Sequence, residues 1–437
     1  MFRKRSALTK ALSEWLSNGG SLTDHLPDGH NLEVRTSGEA SLVCAAIDHA
    51  RNALTRSGEW QAENSLRSAI AFLQQVGSVE ARDALIQHGL PRLRSILRER
   101  LAQPDNERLP ALFALKIIGL YRQPEDIALF IEAARAPIEP DSFWWTTAFY
   151  ALDGDNPCTP ALIAGLSQPL PPGFIRVVLL DRCNALAFEG RLSEHPFASA
   201  EGLEQLEQWL SSTNEEQTSY AVSACVAIPF LPPSAQRHLL DLASKSSGAV
   251  VRLEAAWVGA KLGVAGGAEQ LVEFARNPHY SQQAQWYLEE VGLTDRIPAE
   301  ACAPDFVALA EMCQWIAHPN EFGRPPDAIE QVETRELYWP PTRDQRRLWI
   351  FRYRYDNEDG EPGEGYGLVG SVTWAMFGSN TIDLSPEDVY GLHCAWELIQ
   401  NEDREAPAES TAAAGRAILA RHNPGFGRPS LQVIAKS

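Results

Sequence analysis

The sequence predicts a mostly α protein: an α-solenoid of helical hairpins over residues 1–317, followed by a small α+β domain with an antiparallel hairpin and two helices. Three observations lead there. Short apolar stripes with helical spacing recur through the first three hundred residues, punctuated by Gly and Pro. Small residues at comparable places in these stripes, Ala111, Ala148, Ala185, Ala221, Ala255 and Ala284, fall about 29–37 positions apart, within the range of repeat architectures. After residue 345 the period switches from helical to alternating.

The repeat is clearest in Ser247–Pro298. A helix opens at Ala249-Val250-Val251-Arg252, returns Leu253, Ala256, Trp257 and Ala260 every three or four positions, and stops at Leu262-Gly263. A second helix covers about Ala268–Ala275, and a third carries Ala284, Tyr287, Leu288 and Val291 before Gly292. Each is apolar over too wide an arc to stand alone and must stack on neighbours. Arg252 and Glu254 read as residues that pair one hairpin with the next. Upstream, comparable stripes run through Leu8–Leu16, Leu42–Ala53, Leu66–Leu73, Leu93–Leu97, Phe143–Leu152, Ile175–Phe188 and Tyr220–Ile228. His49 lies in line with its apolar neighbours and reads as a core or boundary histidine. Phe306, Leu309, Met312, Cys313 and Ile316 form the last helix of the series over 304–317.

Val251-Arg252-x-x-Ala255-Ala256 followed by Lys261-Leu262-Gly263 resembles the second helix of a HEAT or armadillo-type repeat. It is closest to the short bacterial HEAT-like repeats first described in phycobilisome lyases, and the resemblance runs over about 210–298. It implies an extended concave surface and no single reaction. Such proteins include scaffolds, bilin lyases and alkylpurine DNA glycosylases. The glycosylase branch implies a basic concave face, and no lyase motif carries over residue by residue.

Charge argues against that basic face. The 437 residues hold 38 Lys and Arg against 57 Asp and Glu, a net charge of −19. Residues 1–100 are near balance, so the rest of the chain carries the whole negative excess. Nucleic acid is therefore disfavoured as a partner, since a phosphate-tracking groove needs a basic stripe. The local cluster Arg92, Arg94, Arg98 and Arg100 reads as a solvated helix face. Seven scattered Cys with no C-x-x-C pair fit a reducing compartment. The segment after Arg5 is amphipathic, and no run approaches the roughly 18 apolar residues of a membrane span. A cytoplasmic location and no membrane contact are expected.

Composition changes at His318-Pro319-Asn320 and Phe322-Gly323-Arg324-Pro325-Pro326, which open a linker over 318–344 that admits a first strand at Ile329–Leu337. In the domain at 345–437, Arg347–Tyr355 puts Trp349, Phe351, Tyr353 and Tyr355 on one face and Leu348, Ile350, Arg352 and Arg354 on the other. Asp356–Glu364 is an acidic hairpin loop and Tyr366–Phe377 the return strand. Ser385 as N-cap and Pro386 at N1 start a helix through Leu392, Trp396 and Ile399, and a second helix covers about Ala412–Ala420. The aromatic face is expected to pack under the 385–400 helix, with ligand stacking as its other use. The opposite face then presents Arg352 and Arg354 beside Ser371 and Thr373, where paired guanidiniums either hold a carboxylate or phosphate or satisfy the protein's own acids. Trp144-Trp145 reads as one core and one groove-lining residue.

Complete catalytic sets are missing. Gly365-Tyr366-Gly367-Leu368-Val369-Gly370-Ser371-Val372 spells a kinase-like glycine loop, but no Lys lies between Gly370 and Lys436 and no H-R-D or D-F-G follows. A dinucleotide site would need a helix where Ser371–Phe377 reads as strand. The glycines are thus expected to serve twist, a bulge or close packing. A calcium loop built on Gly360 would place Tyr355 where a carboxylate is required. No paired metal-ligand spacing occurs, and His393-Cys394 reads as packing. No catalytic residue, cofactor or metal is assigned. The leading reading is a non-catalytic scaffold or adaptor whose concave surface holds a neutral or basic protein or peptide partner. The alternative is an enzyme or small-ligand protein using Arg352, Arg354 and Gly365–Thr373 at the junction of solenoid and C-terminal domain.

Overall fold

The structure, a computed structural model, describes residues 6–26, 32–57, 60–102, 109–136, 143–149, 153–214, 217–356, 363–377 and 384–427, with the side chains of 55–57, 60–61, 109–112, 143–144 and 377 excepted. Pro27-Asp28-Gly29, most of the acidic loop after Asp356, the chain end and the side chain of Trp144 lie outside the described residues. The chain divides into two compact units, Met1–Ser246 and Ser247–Ser437.

The first unit is a succession of helices, and local sequence explains their ends. Thr36-Ser37-Gly38-Glu39 closes a capping box on helix Ser37–Ser57: the Glu39 amide donates to Thr36 Oγ1 at 3.1 Å, and the Thr36 amide donates to Glu39 Oε2 at 3.1 Å. Helices then pack in sequential hairpins, Ser37–Ser57 on Trp60–Ala71 and Leu90–Leu101 on Leu109–Leu120. Trp15 and His49 meet edge to face at 4.9 Å, which makes the histidine a packing partner. The basic cluster on Leu90–Leu101 meets the protein's own acids. Arg92 grips Asp48 through both oxygens at 2.8–3.0 Å, and Arg94 binds Asp126 at 2.5 Å and Glu125 at 3.2 Å. The charges of Arg92 and Arg94 are therefore offset within the fold.

In the second unit, helices Ala249–Lys261, Gly267–Ala275 and Ser281–Glu290 stack as the sequence predicts, followed by Pro304–Ala317. Four strands follow, β1 (Ala328–Trp339), β2 (Asp344–Tyr355), β3 (Gly363–Val369) and β4 (Trp374–Phe377), paired antiparallel in the order β1-β2-β3-β4. Helices Pro386–Gln400 and Ala412–His422 complete the unit. Ser385 caps the first of these through a reciprocal capping box with Asp388, as the Ser-Pro-Glu-Asp signal predicts.

The sheet is covered on both faces, which corrects the expected packing of the aromatic strand. Phe351, Tyr353 and Tyr355 are fully buried against Ala308, Met312 and Ile316 of Pro304–Ala317, and not against the 386–400 helix. Helices Pro386–Gln400 and Ala412–His422 cover the other face, where Leu337, Trp339, Leu348, Ile350, Leu368 and Met376 meet Val389, Tyr390, Cys394, Leu398, Ile418 and Leu419. The physical reason is the period of two: with Leu348 and Ile350 alternating with aromatics, each face is apolar and each needs its own lid. The composition change at 318 thus lies inside the second unit.

The return strand also differs from expectation. It is broken at Gly370–Thr373 into β3 and β4. Gly370 has φ 111°, and a Cβ there would overlap the Arg347 carbonyl oxygen. Gly365 and Gly367 stay in the strand because larger residues would overlap the Met376 carbonyl and Tyr353 in one case and the Met312 thioether in the other. The glycine motif is therefore a packing device under bulky neighbours. We predict that Gly370→Ala lowers stability by about 1–3 kcal/mol in urea unfolding, because both φ and a backbone oxygen oppose it. Gly367→Ala should cost clearly less, since the end of Met312 can swing aside. Equal losses at the two positions would contradict this account.

Candidate functional site

The residues singled out in the sequence are not brought together. Arg352 pairs across the sheet with Tyr366, and Arg354 with Glu364, so neither stands beside Ser371 or Thr373, which lie in the β3–β4 turn. Arg352 binds Glu364 at 2.8 Å and Arg354 binds Asp356 at 3.1 Å. The guanidiniums therefore answer the protein's own acids. Trp349 donates its indole N–H to Asp305 at 2.8 Å, and Arg347 lies over the same ring while binding Asp305 at 2.9 Å. Tyr353 is buried, its hydroxyl donating to the Met376 carbonyl at 2.7 Å, and burial pushes that hydroxyl's pKa up. Thr373 donates to Glu311. Trp145, in the other unit, is fully buried against Phe149 at 6.1 Å, with no hydrogen-bond partner for its indole N–H.

Ser371 leads to a constellation that the sequence reading missed. Its hydroxyl lies 2.9 and 3.0 Å from the two oxygens of Glu397, which also accepts the Trp339 indole N–H at 2.9 Å. Glu397 is 2% exposed. Burial would raise its carboxyl, but the nearby His393 imidazole together with the hydrogen bonds from Trp339 and Ser371 holds it below the ordinary carboxylate range. His393, fully buried one helical turn away, has Nε2 3.4 Å from Glu397 Oε2. Its ring is flanked by Trp374 at 5.1 Å, Trp396 at 5.6 Å and Trp339 at 5.7 Å. No hydrogen-bonding geometry is reached by either ring nitrogen. Only the spacing of His393 and Glu397 on one helix was visible in sequence; Trp339 and Ser371 come from distant strands and turns.

Chemically, this cluster is a clamp. The Ser371 hydroxyl points at Glu397 and not at His393, so no serine–histidine pair exists to make a nucleophile. Burial pushes the neighbouring Cys394 thiol up to about 12, which leaves it unreactive near neutral pH. What Glu397 does is tie β1 and the β3–β4 turn to helix Pro386–Gln400.

A second buried carboxylate joins two helices of the same unit. Glu254, 5% exposed on Ala249–Lys261, has both oxygens 2.5 Å from the Tyr287 hydroxyl on Ser281–Glu290. Burial outweighs that one hydroxyl and pushes the Glu254 pKa up to about 7. Next to it, Trp257 stacks on Tyr287 at 5.3 Å and donates its indole N–H to Glu290 at 2.5 Å. Lys261 lies over the Trp257 ring at 5.1 Å and binds Glu290 at 2.7 Å. At the other end Trp286 lies against Tyr287 at 5.1 Å yet is 51% exposed. The result is a braced ladder, Trp286–Tyr287–Trp257–Lys261, with one large aromatic presented to solvent.

The first unit holds recesses of other kinds. One of about 420 Å³ lies between helix Thr159–Ser167 and residues 191–199. His195 at its wall is satisfied, Nε2 meeting Asn184 Oδ1 at 3.1 Å and Nδ1 accepting the Phe197 amide at 3.3 Å, and burial pushes it down to about 4, so it stays neutral. Among the described residues, no group of three or more His, Cys, Asp and Glu side chains is placed to hold a metal ion. Comparison with protein-family models and with curated proteins finds no match.

The raised Glu254 carboxyl carries a sign that can be measured. Because it holds its proton to about pH 7 in the fold against an ordinary value of 4.5, its contribution is intact at acid pH and is lost as pH rises through about 7. The full loss is on the order of 3 kcal/mol. Glu254→Gln, which can still accept from Tyr287, should flatten this part of the pH profile and be more stable than the parent at pH 8. Parallel pH profiles for the two proteins in urea unfolding would refute the assignment.

Proposed function

We propose that this chain is a non-catalytic interaction protein, an adaptor or scaffold built on HEAT-like helical hairpins, which holds a protein or peptide partner of neutral or basic character. The observation that carries the reading is Trp286, a tryptophan half in solvent that lies against the Tyr287–Trp257 stack. A large aromatic that is pre-positioned loses little freedom on docking, and tryptophan dominates the energetic centres of protein interfaces. Further exposed apolar side chains, Val307 and Trp315 on Pro304–Ala317 and Val250 on Ala249–Lys261, belong to the same unit. The HEAT-like assignment draws support from the adjacency of Ala249–Lys261 and Ser281–Glu290 through Glu254 and Tyr287, with Gly267–Ala275 packed on both.

Charge supports the partner's character. Residues 247–437 contain 16 Lys and Arg against 28 Asp and Glu, so an acidic partner would meet like charge. Among the described residues no helix is long and apolar enough to cross a membrane.

The test is affinity capture with the full chain, followed by titration of the purified partner against the parent and Trp286→Ala. Retention by the parent and weakening by about tenfold or more in the variant, at an unchanged thermal transition, is the expected result. Capture of nothing by the parent, coupled with turnover of a metabolite, would sink the reading.

A further inference from the structure

Strand β1 is an edge of the sheet, paired with β2 alone. In an antiparallel pair the N–H and C=O of successive residues point alternately toward the partner and away from it. The hairpin fixes which residues of β1 point away. Trp339 closes it opposite Asp344, its carbonyl accepting the Arg343 amide at 2.8 Å, so Trp339, Leu337 and Arg335 direct their peptide groups at β2. Tyr338, Glu336 and Thr334 therefore present theirs outward. A second observation agrees: the Tyr338 amide donates to Asn423 Oδ1 at 2.7 Å, and Asn423 Nδ2 donates back to the Tyr338 carbonyl at 3.0 Å. Asn423, at the end of helix Ala412–His422, thus offers the edge a carboxamide with the donor–acceptor pair of a peptide group.

Among the described residues, none meets the same outward groups of Thr334 and Glu336. This stretch is bounded by Asn423 at Tyr338 on one side and by the register shift between Gln331 and Glu333 on the other. It accommodates about five extended residues at ~3.3 Å each. Charge selects what can lie there. β1 carries Glu330, Glu333 and Glu336 against Arg335 alone, and Arg335 already binds Glu333 and Glu387. Glu336 is exposed. A second copy would bring the same excess of acids to the edge, which opposes that pairing. A strand with Lys or Arg beside Glu336 gains opposite charge together with the main-chain bonds. We propose that the outer edge of β1 at Thr334–Glu336 receives an extended, basic segment of a partner, which adds to the sheet as a further strand. The main chain supplies the bonding, and Glu336 supplies the preference for basic side chains. The inference rests on the interaction-protein reading and gives that partner a contact of stated chemistry.

The experiment titrates the full chain against fluorescein-labelled Lys-Val-Lys-Val-Lys-Val-Lys and reads anisotropy. Two further peptides separate main chain from charge: the same sequence N-methylated at its three central amides, and Glu-Val-Glu-Val-Glu-Val-Glu. Each should bind about tenfold or more weakly. Thr334→Pro removes one outward N–H at an edge position, where proline is tolerated, and should weaken the lysine peptide about fivefold. Glu336→Gln should weaken it about threefold. Thermal transitions of both variants should match the parent. In hydrogen exchange of the parent, the lysine peptide should slow the Thr334 and Glu336 amides. Equal binding of the N-methylated peptide, or no slowing at these two amides, overturns the proposal whether or not the proline variant folds. Binding only by a variant ending at Gly427 would assign the edge to the chain's own residues 428–437, and a dimer abolished by Thr334→Pro would assign it to a second copy; either overturns it. If the parent holds a partner through Trp286 but binds no lysine peptide, the edge assignment falls and the interaction reading stands. If it binds neither, both fall.

Discussion

A sheet whose two faces are both apolar cannot leave either in water, and the second unit is arranged around that constraint. Each strand of β2 and β3 sends side chains alternately to the two sides, so the aromatic row Phe351, Tyr353, Tyr355 and the aliphatic row Leu348, Ile350 are buried by different helices. Pro304–Ala317 must reach the aromatic side, and Pro386–Gln400 with Ala412–His422 must reach the other. The glycines of β3 follow from the same demand. Without a Cβ at Gly365 and Gly367, Tyr353 and Met312 approach the strand backbone closely. A motif that spells phosphate binding in another fold here sets the distance between a sheet and its cover.

Buried charge is handled in two ways, and the comparison shows what decides the outcome. Glu397 and Glu254 are both nearly inaccessible. Glu397 is met by an indole N–H, a serine hydroxyl and an imidazole, which together overcome desolvation and keep it ionised. Glu254 meets one tyrosine hydroxyl, which does not, and its proton stays to about neutral pH. The number of donors, more than the depth of burial, sets the charge state. Glu397 thus works as a permanent anchor between sheet and helix, whereas the Glu254 contact between helices depends on pH.

Elsewhere acids and bases are largely matched internally. Arg92 and Arg94 in the first unit, and Arg347, Arg352 and Arg354 in the second, each bind a carboxylate of the same chain. What distinguishes the surface is therefore less its cations than its excess of acids and its braced aromatic at Trp286.

Sequence alone determined the local elements. The helical stripes of Ser247–Pro298, the cap at Ser385 and the strand Arg347–Tyr355 were all legible, because each depends on neighbours within a turn or two. It could not say which helix covers which face of the sheet, since a period of two announces that a face is apolar and not who meets it. It misassigned Ser371 and Thr373 to a strand beside Arg352 and Arg354, because the turn at Gly370 depends on a clash with the Arg347 carbonyl, a residue across the sheet. The clamp at Glu397, the ladder under Trp286 and the Asn423 contact on the edge of β1 were decided only by tertiary structure. Each joins residues from separate helices, strands or turns, and contacts of that range leave no period or spacing in the chain.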